Sequence, residues 1–176
     1  MYTPSYERRA RAEGKPLDYF LKKMQEAAAR DGWQLVTISS AAELTYHFNK
    51  SKTREVTSID YFGHSNANLL FLEYSSVIPE RSTDFWGGSD ALNVRKEIFS
   101  VETRVSIVRG RRVVTTTPTA VFSTYGCNQG DEFGLAQQLH EIWGIMTKGS
   151  RGKTDFEPIG RGETYPSTEG GYVIFG

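Results

Sequence analysis

Apolar residues along this chain change period several times, and each change marks an element. Leu17, Phe20, Leu21, Met24 and Ala28 recur at helical spacing, which predicts an amphipathic helix over 16–31 that starts on Pro16 and ends at Gly32. The β-branched run 33–39 predicts a strand, and Ser40 after it predicts the N-cap of a helix over 41–50. A second strand over 56–62 leads into Gly63-His64-Ser65, with Asn66-Ala67-Asn68 as a turn and "LLFLEY" as further extended chain. Residues 83–100 carry a helical pattern after Trp86-Gly87-Gly88.

The second half is more regular. Valine and threonine alternate on either side of Arg109-Gly110-Arg111, which predicts a β-hairpin over 101–117. The nearly all-apolar run 119–125 has the character of a strand buried in a parallel sheet. Phe133, Ala136, Leu139, His140 and Trp143 then predict a helix over 131–143, followed by a strand in "IMTKG", a glycine-rich loop and a last strand over 172–175. Strand and helix alternate, so the expected class is α/β with a mainly parallel sheet. The chain of 176 residues has the size of one domain: a helical segment over 1–32, a core over 33–155, and a loop and strand over 156–176.

Composition narrows the function by exclusion. Lys plus Arg and Asp plus Glu both total 21, so no net field favours nucleic acid or an anionic membrane. No apolar run approaches the roughly 18 residues of a membrane span, and the first thirty residues do not read as a secretory signal. The expected location is cytoplasmic, or secreted by a route that needs no signal peptide. A single cysteine, Cys127, excludes an internal disulfide and a paired-cysteine zinc site. "GSRGKT" lacks the first glycine of a P-loop, because position 147 is Thr147.

In an open α/β sheet, ligands bind beyond the carboxyl ends of the strands. Two predicted strands end in reactive side chains: His64 follows 56–62 and Cys127 follows 119–125. If these strands are parallel neighbours, thiol and imidazole share one sheet edge and can form a dyad. Cys127 also precedes the helix expected near Asp131, whose free N–H groups favour a thiolate. Gly126 and Gly130 let the chain turn and let a substrate carbonyl approach the Cys127 N–H, with Ser65 N–H as a second oxyanion donor. A competing reading takes Gly63-His64-Ser65-Asn66-Ala67 as a G-x-S-x-G elbow with Ser65 as nucleophile, an aspartate such as Asp84, Asp90 or Asp131, and His140 as base. That elbow must open into a helix, whereas 66–74 reads as extended chain, and His140 reads as a packed helix residue. A lone buried cysteine is ordinarily inert, and only its strand-end setting opposite a strand-end histidine raises Cys127 above that.

"SIDYFGHSNANLLFLEY" together with "AVFSTYGCNQGDEFGLAQQLHEIWGIMTKGSRG" resembles the caspase-like cysteine peptidases, the clan of caspases, metacaspases, legumain, gingipains and CHAT peptidases. The resemblance covers roughly residues 33–155. In that clan one strand ends in His-Gly, a later strand ends in the nucleophile within Cys-x-x-Gly or Cys-x-Gly, and a helix and a strand follow. Here Gly63-His64-Ser65 matches with serine in place of the usual glycine, and Cys127-Asn128-Gln129-Gly130 matches the second motif. The resemblance implies a three-layer fold with a mainly parallel central sheet flanked by helices. It also implies a cysteine endopeptidase with Cys127 as nucleophile and His64 as general acid and base, without metal or organic cofactor, acting on a protein or peptide substrate. Asn128, Asp131 and Asp155 are the expected substrate contacts. Tyr125-Gly126 lacks the acidic residue that metacaspases use for basic substrates, so cleavage preference does not carry over. Two further expectations stand beside these: a site-degraded binding module, and the effector domain of a larger bacterial toxin with a cognate inhibitor or immunity protein. Oligomeric state is not legible.

Overall fold

The computed structural model describes residues 11–12, 14–16, 19–72 and 84–176. Strands and helices are numbered in chain order. The central sheet holds β1 (Ser58–Tyr61), β7 (Val121–Thr124), β8 (Met146–Ser150) and β11 (Tyr172–Phe175), side by side in that order. β1, β7 and β8 are parallel, and β11 closes one edge antiparallel to β8. A mixed α/β domain with a mainly parallel sheet is therefore what the alternation of periods specified.

Side chains alternate across this sheet and sort the core into two layers. Phe122 points to one face with Leu44 and Phe48 of α2 (Ala41–Asn49) and Leu135, Leu139 and Trp143 of α3 (Leu135–Trp143). Trp143 is the hub there: its ring lies 5.3 Å from Phe122, 5.4 Å from Phe99 and 5.6 Å from Phe48, and its indole N–H donates to Ala91 O at 2.8 Å. Tyr125 and Phe62 turn to the other face, where Phe20 and Met24 of α1 (Tyr19–Asp31) meet Ile159 of the short α4 (Glu157–Gly160). The helices thus flank both faces of the sheet.

Ser40 caps α2 as the sequence implied, and α3 ends on a glycine cap of its own. Ser40 Oγ accepts from Glu43 N at 3.2 Å, and Glu43 Oε2 reaches back to Ser39 N at 2.9 Å, one residue before the N-cap. Gly144 ends α3 with φ 70, a left-handed conformation that glycine adopts without a Cβ penalty.

The remaining elements are small sheets. β2 (His64–Ser65), β3 (Leu69–Phe71) and β4 (Phe85–Trp86) form an antiparallel set, and β9 (Thr154–Asp155) pairs with β10 (Ser167–Thr168). β5 (Val101–Val108) and β6 (Arg111–Pro118) form the predicted hairpin, with positive φ at both Arg109 and Gly110 as a primed turn requires.

Three expectations are corrected. Residues 33–39 form no strand of the sheet and carry only a single bridge at Thr37, because Ile38 is buried by packing rather than by ladder pairing. The stretch after Trp86 makes two 3₁₀ turns, Ala91–Asn93 and Lys96–Ile98, instead of an α-helix. α3 begins at Leu135 rather than Asp131, since residues 131–134 are spent on a turn in which Gly134 N bonds Asp131 O. Glu73 and Tyr74, the end of "LLFLEY", lie outside the described residues, as does Thr83.

Candidate active site

β1 and β7 are neighbours, and the register sets their ends level: Tyr61 pairs with Thr124. His64 lies three residues beyond Tyr61, and Cys127 lies three residues beyond Thr124. Both leave the same edge of the sheet at the same height, each half-buried. The two loops also touch. Ser65 Oγ donates to Cys127 O at 2.9 Å, and a Cβ on Gly126 would overlap Ser65 Oγ and stand 3.0 Å from Gly63 O. The absence of a side chain at Gly126 thus makes room for the histidine loop. Its carbonyl is occupied as well, accepting from Thr154 Oγ1 at 2.9 Å and from Ser150 Oγ.

The histidine sits on a hairpin built tightly against β1. Gly63 has no room for a Cβ because the Tyr61 ring and hydroxyl fill that space, and this hydroxyl donates towards His64 O at 3.2 Å and Phe71 O at 3.4 Å. Asn66 N bonds Leu69 O at 3.1 Å, so Asn66 and Leu69 are a hydrogen-bonded pair of the β2–β3 ladder. Antiparallel ladders alternate, which makes Ser65 and Leu70 the non-bonded pair and turns the Ser65 N–H away from β3. Cys127 N–H has no hydrogen bond among the described residues. Thr154 N–H points at Cys127 Sγ from 3.4 Å.

One residue joins the two halves from beneath, and sequence reasoning passed over it. Gln129 is completely buried. Its Nε2 donates to Asn66 O and, at 3.3 Å, to Leu69 O, while its Oε1 accepts from Thr124 Oγ1 at 3.2 Å. It ties the turn of the histidine hairpin to the end of the strand that carries the cysteine. A buried amide satisfied at both ends fixes geometry, since any shift orphans a group in low dielectric. The only hint in the chain is a polar residue inside the Cys-x-x-Gly motif.

The other expected residues distribute as follows. Asn128 takes φ 59 and donates its N–H to Gly152 O at 2.9 Å, which turns the loop sharply after the cysteine. Gly130 packs on β8, where a Cβ would come within 2.5 Å of Gly149 O. Asp131 is half-buried in the turn before α3, and because that helix starts at Leu135 the expected helix-terminus field on Cys127 is withdrawn. Asp155 is exposed, follows the Thr154 that touches the sulfur, and accepts Glu157 N at 3.0 Å just before α4. Phe133, with φ 58 and 70% exposure, is an additional apolar side chain presented by the loop after the cysteine.

The serine elbow lacks its scaffold. Ser65 is a strand residue in a hairpin, only 8% exposed, and the chain after it folds back instead of entering a helix. His140 is held on α3 by Ile145 O at 2.8 Å, a structural setting. Among the described residues no three of His, Cys, Asp and Glu gather as a metal site, and no helix is long and apolar enough to cross a membrane.

Behind Tyr125 runs a polar row across the sheet. Asp60, Ser123 and Lys148 occupy adjacent register positions on β1, β7 and β8. Lys148 Nζ stands 4.2 Å from the Tyr172 ring centre, 5.1 Å from Tyr125 and 5.6 Å from Tyr165, a cation held over aromatic faces. Burial pushes the Asp60 carboxyl above its ordinary value, against lowering by the Ser123 hydrogen bond and Lys148. Burial likewise pushes the Tyr172 phenol up to about 12.

Comparison with family models, curated proteins and solved structures finds no match.

Proposed function

We propose that this chain is a cysteine peptidase of the caspase-like kind, with Cys127 as nucleophile and His64 as general acid and base. The observation that carries the reading is the level register of β1 and β7, which sends a histidine and a cysteine off neighbouring parallel strands at equal distance. The order strand, histidine, strand, cysteine, helix, strand runs through β1, His64, β7, Cys127, α3 and β8, as the family resemblance implies.

The Cys127 sulfur attacks the scissile carbonyl, forming the S–C bond, while the amides of Cys127 and Ser65 hold the oxyanion. The protonated His64 ring gives its proton to the leaving nitrogen as the C–N bond breaks. It then takes a proton from water, whose oxygen attacks the thioester carbonyl; the S–C bond breaks, the acid product leaves, and the Cys127 thiolate and protonated His64 are restored. Serine in place of the usual glycine leaves this oxyanion amide intact, because the Ser65 side chain turns instead to Cys127 O. The substrate class is protein or peptide.

The test is alkylation of Cys127 by iodoacetamide at about pH 6.5, where an ordinary thiol of pKa about 8.5 is almost wholly protonated. Rapid labelling that falls at least tenfold in His64→Ala, with cleavage of a mixed fluorogenic peptide set lost in Cys127→Ala, supports the dyad. Slow labelling indifferent to His64 sinks it and leaves a binding module. Fluorophosphonate labelling lost in Ser65→Ala would restore the serine reading.

A further inference from the structure

The β5–β6 hairpin stands off the body. Every residue from 102 to 119 is exposed, on both faces of the ribbon. Its base is closed at the amino end of the central sheet, where Thr119 N bonds Ser100 O at 2.9 Å and Val121 N bonds Thr57 O at 3.0 Å. It therefore points away from the carboxyl edge that carries His64 and Cys127. A two-stranded ribbon is marginal in water unless a face of it is covered. Here one face presents Val105 at 54%, Ile107 at 70% and Val114 at 54% exposure, contributed by Val105–Val114 and Ile107–Arg112 cross-strand pairs. The strands are eight residues each, with no internal proline and no lysine to blunt their edges.

Charge selects the occupant. Of the 21 basic and 21 acidic residues of the chain, four (Arg104, Arg109, Arg111, Arg112) and one (Glu102) lie in the hairpin, which leaves 17 and 20 elsewhere. The arm carries +3 and the remainder −3. Arm against arm sets like charges together, whereas arm against the body of another copy pairs opposite ones. We propose that the hairpin is the arm of an arm-exchange homodimer, laid on the body of a second copy and reciprocated by that copy. Stable interfaces take roughly 20–30 residues a side, and an arm of eighteen residues given with a matching strip received meets that size. The proposal is independent of the chemistry at Cys127.

The experiment is sedimentation equilibrium of the full chain across protein concentration, at about 0.05 M and about 0.5 M salt. The wild type is expected to dimerise, with at least tenfold weaker association at the higher salt. Ile107→Lys and the double change Arg111→Glu with Arg112→Glu should each weaken it at least tenfold while leaving the melting temperature of the monomer unchanged, since all three side chains are in solvent. A monomeric wild type overturns the proposal, including one that binds a duplex oligonucleotide instead. A dimer indifferent to both variants overturns it too, and association strengthened by salt would assign the contact to arm-on-arm pairing.

Discussion

Replacing Gln129 with alanine separates the histidine hairpin from the cysteine strand without touching either reactive group. The change removes three hydrogen bonds and leaves Asn66 O without a donor from the buried side, whereas Leu69 O keeps the Asn66 N–H. One orphaned buried acceptor costs about 1–3 kcal/mol, and loss of the remaining bonds about 1 kcal/mol more, so roughly 2–4 kcal/mol is expected. For a domain of this length each kcal/mol moves the midpoint by about 2–4 °C, which gives a fall on the order of 4–16 °C. Gln129→Glu separates packing from hydrogen bonding. It keeps the volume but must be protonated to donate its one O–H to Asn66 O. Its folded-state pKa is therefore raised, so its stability should be nearest to wild type below about pH 4.3 and should be lost as pH rises through the raised value. Circular dichroism melts from acid to neutral pH follow both variants, and the rate of Cys127 alkylation in each reports the site. If Gln129→Ala melts within a degree of wild type and its alkylation still depends on His64 to the same extent, Gln129 positions nothing.

Three further outcomes follow from the same structure. Gly126→Ala should destabilise by more than about 2 kcal/mol because its Cβ overlaps Ser65 Oγ, and adding Ser65→Gly should recover part of the loss; strictly additive melts in the double variant would contradict that contact. Asp60→Asn should raise the melting temperature increasingly as pH climbs from acid to neutral. Burial raises the folded-state Asp60 value, so the wild type is at its best below the ordinary aspartate range and loses that stability as the proton leaves; a gap constant with pH would refute the assignment. Ser40→Ala should cost about 1 kcal/mol through the lost N-cap of α2, read from urea midpoints, and no change would mean that Glu43 alone secures the helix start.

The strands that frame the site were legible because each is a short β-branched or apolar run bounded by turn residues, as 119–125 shows. The hairpin was legible because Val-Thr alternation meets Arg109-Gly110. Residues 33–39 misled because Ile38 and Val36 are apolar for packing on the core, and period alone does not say whether a backbone has a ladder partner. The start of α3 was misplaced because Phe133 has the right character for the helix face yet sits at φ 58 in the preceding turn, exposed. His64 and Cys127 stood out as strand ends. Gln129 did not, because its partners Asn66 and Leu69 lie about sixty positions away and no local pattern encodes them.

The level ends of β1 and β7 also fix when the site can exist. His64 is synthesised more than sixty residues before Cys127, and parallel pairing at that separation waits on slow loop closure. β7 in turn is held between β1 and β8, so a nascent chain that stops before Met146 contains both side chains while β7 has only one of its two neighbours. The sheet that sets the two side chains level is therefore completed late, once the last parallel strand has emerged.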